Sequence, residues 1–170
     1  MTVLRVGAPS LLALALSLGL GSTAAFAADV LPPAAEERLA AAEQDCLEIG
    51  GTAFSFDPIE SQAVPDLDGD RAPDFVLDAQ DFTCEGALSL YSGTGGRRLD
   101  VLLSSGIALD PFIARGWSVV LMPGLEAPDP AWPHVLLLTV HGTLCGGDGT
   151  RRCVAAYVWQ YGAFRSLPSD

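Results

Sequence analysis

From Gly51 onward the chain is written in short apolar runs, each ended by Gly, Pro or Asp. They are TAFSF (52–56), DFVLD (74–78), ALSLY (87–91), LDVLL (99–103), GWSVVLM (116–122), HVLLLTV (134–140) and CVAAYVWQY (153–161). Strand-forming runs with turn residues between them specify a largely antiparallel sheet system. SGTGGRR (92–98) and PGLEAPDPAWP (123–133) read as loops. No segment recurs along the chain, which argues against a complete propeller or a solenoid.

Ahead of these runs the texture is helical. Pro32-Pro33 opens the stretch AAEERLAAAEQDCLEI, which stops at Gly50-Gly51. Proline suits the first turn of a helix and glycine the residue after its end. Ala35, Leu39, Ala42, Cys46 and Ile49 recur at spacings of three and four and so share one face. Glu36, Glu43 and Gln44 point elsewhere. The spacing predicts an α+β fold: an N-terminal helix packed, through the face holding Cys46, on a mainly antiparallel β-sheet domain.

The first residues read as an address. Arg5 is the only charge before the apolar run LLALALSLGLG (11–21), and Ala25-Phe26-Ala27 follows as an A-x-A cleavage pattern. Crossing a membrane takes about 20 apolar residues, and this run has about half of that. Residues 1–27 are therefore expected to be a signal peptide of bacterial layout. Residues 28–170 then form a single secreted domain, periplasmic or extracellular, large enough to bury its own core. No membrane insertion is expected after cleavage.

An exported chain with an even number of cysteines implies disulfides, and Cys46, Cys84, Cys145 and Cys153 permit three pairings. Cys145 with Cys153 is favoured, because GGDGTRR between them is turn-forming and would bring two strands together. Cys46 with Cys84 follows by elimination. Loop-closure entropy gives about 2.6 kcal/mol for the short loop and about 3.9 kcal/mol for the long one. Zinc is the competing use of four cysteines, but no CxxC pair is present.

The formal net charge is −12, with no lysine and nine arginines that are scattered or in short pairs. Nucleic acid requires clustered cations to displace phosphate counterions, and an anionic membrane makes the same demand. Neither partner is expected. The acidic balance suits solubility or a cationic partner.

One stretch carries chemistry. PDLDGDRAPDFVLD (65–78) places Asp66, Asp68, Asp70 and Asp74 within nine consecutive residues. Calcium takes six to eight oxygens, and oxygen-rich loops supply them from alternate positions. With Asp66 first, Asp68 and Asp70 stand third and fifth, the carbonyl of Ala72 seventh and Asp74 ninth. Gly69 allows a tight turn, while Pro65 and Pro73 limit the freedom of the loop.

This stretch resembles the DxDGDxxxD calcium loops of FG-GAP and VCBS-type β-propeller repeats, in which the loop runs straight into a hydrophobic strand. Asp74-Phe75-Val76-Leu77 matches that continuation. The resemblance implies that Asp66, Asp68, Asp70 and Asp74 bring side-chain oxygens to a single structural calcium ion. One copy is present where propellers have several, and the whole also looks like small single-copy secreted bacterial proteins. Arg71 stands at the sixth position, where glycine is usual. An EF-hand is disfavoured, since the twelfth position is Leu77 rather than glutamate and Pro73 opposes a following helix.

Other candidates are weaker. His134 and His141 are an odd number of residues apart, which on a strand puts them on opposite faces and prevents a shared metal. Ser92, Ser104, Ser105 and Ser118 lack the GxSxG setting of a nucleophile, and Ser-x-x-Lys is impossible without lysine. The glycines of SGTGG are not followed by a P-loop lysine and are accounted for by a hairpin turn. Trp117, Trp132 and Trp159 are expected in the core, with Trp132, among prolines, the exception. The functional expectation is a non-enzymatic domain with one calcium loop that binds an envelope protein or glycan. The alternatives are a small periplasmic hydrolase with unidentified catalytic residues, or an inhibitor of a cationic enzyme.

Overall fold

The computed structural model describes residues 31–122, 134–148 and 151–167. The expected signal peptide at 1–27 and the whole predicted loop at 123–133, Trp132 included, lie outside the described residues.

Helix α1 (Pro33–Glu48) starts on its proline and is closed by Gly51, whose N–H donates to the Cys46 carbonyl. Ala35, Ala42 and Cys46 are buried as the spacing predicts. Ile49 is not: it caps the helix after the last turn, where the chain leaves the helical path, and it is 55% exposed.

The remainder is mostly β. Strand β1 (Ala53–Phe56) pairs with β4 (Phe82–Glu85) as a small separate sheet. A second sheet holds β2 (Gln62–Val64), β3 (Asp74–Asp78), β5 (Ser92–Gly93), β6 (Gly96–Leu102) and β7 (Phe112–Ala114). Its order is β2-β3-β6-β5, with β7 also on β6. A third holds β8 (Gly116–Leu121), β9 (His134–His141), β10 (Arg152–Gln160) and β11 (Ala163–Ser166), in the order β11-β10-β9-β8. Every pairing is antiparallel. The α+β reading holds in a coarse sense, with one helix against many antiparallel strands.

One expectation is corrected. ALSLY (87–91) is no strand: the chain turns tightly there, with Ala87 donating to the Cys84 carbonyl and Leu90 to the Ala87 carbonyl. Only its last residue, Tyr91, meets a strand, accepting the Arg98 N–H of β6 at 3.4 Å, and Leu88 is 79% exposed. SGTGGRR, a loop segment whose glycines were expected to form a hairpin turn, does so. It is the β5–β6 hairpin, with Ser92 opposite Arg97 and Gly93 opposite Gly96. Gly96 has φ 134, and a Cβ there would lie 2.7 Å from the Ala114 carbonyl oxygen, so glycine is what lets β7 approach. Strands β2, β4, β5, β7 and β11 were not predicted, because such short elements carry too few residues to show a period.

The core lies where the second and third sheets face each other. Val64, Leu67, Val76, Leu99, Val101 and Leu103 come from one side, and Leu136, Leu138, Val140 and Trp159 from the other. Trp117 packs against this cluster, as expected for a core tryptophan. The chain passes from one sheet to the other through Arg115, whose N–H donates to Thr139 at 2.6 Å.

Two disulfides secure the outer parts. Cys46–Cys84 ties α1 to β4, and Cys145–Cys153 closes the turn between β9 and β10. No described helix is long and apolar enough to cross a membrane.

Candidate metal site

The acidic stretch is the connection of a hairpin. Val64 on β2 pairs with Asp74 on β3, so residues 65–73 must loop out and return over one strand spacing. Leu67 holds this loop down, since it is almost wholly buried in the core cluster. With Leu67 inward, the flanking Asp66 and Asp68 are left half-buried at the surface.

Three of the four carboxylates converge. Oxygens of Asp66, Asp68 and Asp74 all lie within 4.8 Å of one another. Asp70 stands outside that group. Its carboxylate turns instead to the Ser104 hydroxyl at 2.8 and 2.9 Å, and it accepts the Ala72 N–H at 2.8 Å.

The loop backbone is arranged by the same carboxylates. Asp66 accepts the N–H groups of Gly69 at 2.6 Å and Arg71 at 2.8 Å. Those bonds require a sharp reversal, and both Gly69 (φ 86) and Arg71 (φ 74) adopt left-handed conformations. Arg71 therefore keeps the turn for which glycine is the usual residue, at a cost of about 1–2 kcal/mol.

Asp74 is the buried member of the set, at 2% exposure. It accepts the Leu67 N–H at 2.6 Å and the Ser104 N–H at 2.8 Å. Burial pushes its carboxyl up to about 6, and those two backbone bonds only partly offset the shift; the neighbouring charge of Asp68 adds to it. The charged form is thus held in a place that disfavours it, which a bound cation would correct.

Two residues outside the motif complete the site. Ser104 and Ser105 sit in the turn after β6, closed by the Gly106 N–H donating to Leu103 at 2.9 Å. Ser104 reaches Asp70 and Asp74, and the Ser105 hydroxyl donates to Asp68 at 2.5 Å. The β3–β6 register, Phe75 opposite Leu102, brings that turn over the loop. The sequence offered no local sign of this, since the partners lie thirty or more residues from the acids.

His134 also supports the loop, its Nδ1 lying 2.8 Å from the Asp66 carbonyl oxygen. His141 is engaged elsewhere, with the Thr143 hydroxyl at 2.8 Å. The two histidines stand at opposite ends of β9 and on opposite faces, as their odd spacing predicts.

No protein-family model matches the chain, and neither does any curated protein or solved structure.

Proposed function

We propose that this chain is a non-enzymatic exported domain with one structural calcium ion in its Asp66–Asp74 loop, and that it binds a protein or glycan outside the cytoplasm. The observation that carries the calcium reading is the convergence of Asp66, Asp68 and Asp74 oxygens within 4.8 Å. The donors are all oxygen, which suits a hard cation rather than zinc or copper. Asp70 and the Ala72 carbonyl would complete the set after the Ser104 hydroxyl is released. The likeness of PDLDGDRAPDFVLD to FG-GAP and VCBS-type loops supports the same ion. Two disulfides support export.

The ion's role is structural. Extracellular-type modules bind calcium at about 10⁻⁴ to 10⁻³ M. At a calcium level about tenfold above the dissociation constant, linkage adds about 1.4 kcal/mol. That is enough to order a hairpin loop and hold the start of β3.

Calcium is expected to raise the melting temperature of the mature protein, and Asp68→Ala to abolish the rise. An identical response in both proteins would rule the assignment out. Affinity capture from envelope extracts, with and without chelator, tests the binding role: a partner lost on chelation is expected, and recovery of none counts against it.

A further inference from the structure

Strand β6 sorts its charged residues by face. Arg97 lies on the side of Leu99 and Val101, while Arg98 and Asp100 point to the side covered by α1. On that outer side, between α1, Tyr91 and β6, lies a cleft of about 430 Å³ whose walls include Arg38, Asp45, Tyr91, Arg98 and Asp100.

At the buried end of the cleft one carboxylate serves two cations. Asp100 is buried and receives Arg98 through two parallel bonds, at 2.7 and 2.8 Å. Arg38 shares the same carboxylate, its Nε 3.6 Å away. Two guanidinium groups therefore meet one buried carboxylate. Asp45, on the exposed helix surface, also lines the cleft and its charge acts on Arg98, but it makes no hydrogen bond to either arginine. Arg98 Nη1 and both Nη atoms of Arg38 have no protein acceptor among the described residues, so their N–H groups stay available. Arg97 also lines the cleft but is committed to Asp78 and to the Arg115 carbonyl.

One wall is rigid. The Tyr91 hydroxyl donates to the Ala42 carbonyl, and its ring packs edge-on against Phe82 and Phe54 at 5.3 and 6.0 Å. Ala41, Leu90 and Ile113 add apolar surface. The volume falls in the range of small-molecule sites, about 300–1,000 Å³, and exceeds what a bare ion fills.

We propose that this cleft binds a small organic acid, its carboxylate held by Arg38 and Arg98 and its body lying against Tyr91. The site shares no residue with the acidic loop and does not depend on the calcium assignment.

The test is calorimetric titration of the mature protein with glucuronate, glucose and acetate, paired with amide NMR shifts. Glucuronate is expected to bind, more tightly than acetate, and to shift the amides of Tyr91 and Arg98, whereas glucose does not bind. Arg38→Gln, on the helix surface, is expected to fold and melt as wild type while binding about tenfold more weakly or worse. No binding of glucuronate, equal binding of glucose or acetate, shifts confined to other parts of the chain, or undiminished binding by Arg38→Gln would each overturn the proposal.

Discussion

Asp78 and Arg97 form a two-pronged ion pair across the β3–β6 seam, Nε to Oδ1 at 2.5 Å and Nη2 to Oδ2 at 2.8 Å. Asp78 is fully buried and also accepts the Trp117 indole N–H at 3.0 Å, so one carboxylate links β3, β6 and β8. Arg97 is held charged chiefly by this hydrogen bonding, against the opposing effect of burial. Through Trp117 the pair fastens the two main sheets to each other.

Breaking this pair on one side should be costly. Asp78→Asn leaves the Arg97 cation without its counter-charge in a mostly enclosed position, and urea titration should show a loss of about 3–5 kcal/mol. The double change Asp78→Leu with Arg97→Met should recover part of that loss. A double variant less stable than the sum of the single ones would remove the claim that the pair, rather than space filling, is at stake.

The acidic loop should respond to pH through Asp74. Its folded value near 6 lies above the ordinary 3.8, so the folded state binds the proton more readily than the unfolded state. In metal-free buffer, this group's contribution to stability is present below 3.8 and is lost as pH rises through 6. Melting curves of wild type and Asp74→Asn should therefore diverge between those limits, wild type gaining relative to the variant as pH falls. With calcium the sign reverses, because the ion needs the ionised carboxylate and proton competition weakens it below pH 6. Parallel pH profiles for the two metal-free proteins would contradict the role given to Asp74.

Arg71→Gly should help twice. Glycine adopts the φ of 74 without the steric cost that arginine bears, which predicts a gain of up to about 1 kcal/mol in metal-free stability. Removing the cation should also tighten calcium. Differential scanning calorimetry with and without calcium reads both effects; a destabilised variant would mean that the arginine side chain contributes more than its backbone costs.

Gly51 guards the first disulfide. A Cβ at this residue would sit 2.5 Å from the Cys84 sulfur and 2.6 Å from the Cys46 sulfur. Gly51→Ala should thus impair closure of Cys46–Cys84, releasing thiols to a colorimetric reagent and costing up to about 3.9 kcal/mol, the entropic worth of that loop. Full oxidation with unchanged melting would show that the neighbouring backbone yields easily.

Much of the local structure was legible in the residue order. Pro33 and Gly51 bound α1, the DFVLD and HVLLLTV runs became β3 and β9, and the turn residues between Cys145 and Cys153 indicated their bridge. Each of these rests on near neighbours in sequence: a cap, a strand period or a short turn. The aspartate spacing was equally plain, because ligand-like positions within a nine-residue loop are set by the chain itself.

Only the tertiary structure could decide the rest. Asp70 departs from the other acids because Ser104, on a turn brought near by the β3–β6 register, captures it at 2.8 Å. ALSLY fails as a strand because β propensity needs a neighbouring edge, and among the described residues one reaches only Tyr91 at its end. Asp78 finds Arg97 and Trp117, and Asp100 finds Arg38, across nineteen to sixty-two positions of chain. The residue order states which side chains carry charge, but the partner of each depends on which strands lie side by side, and that is settled by burying a common core.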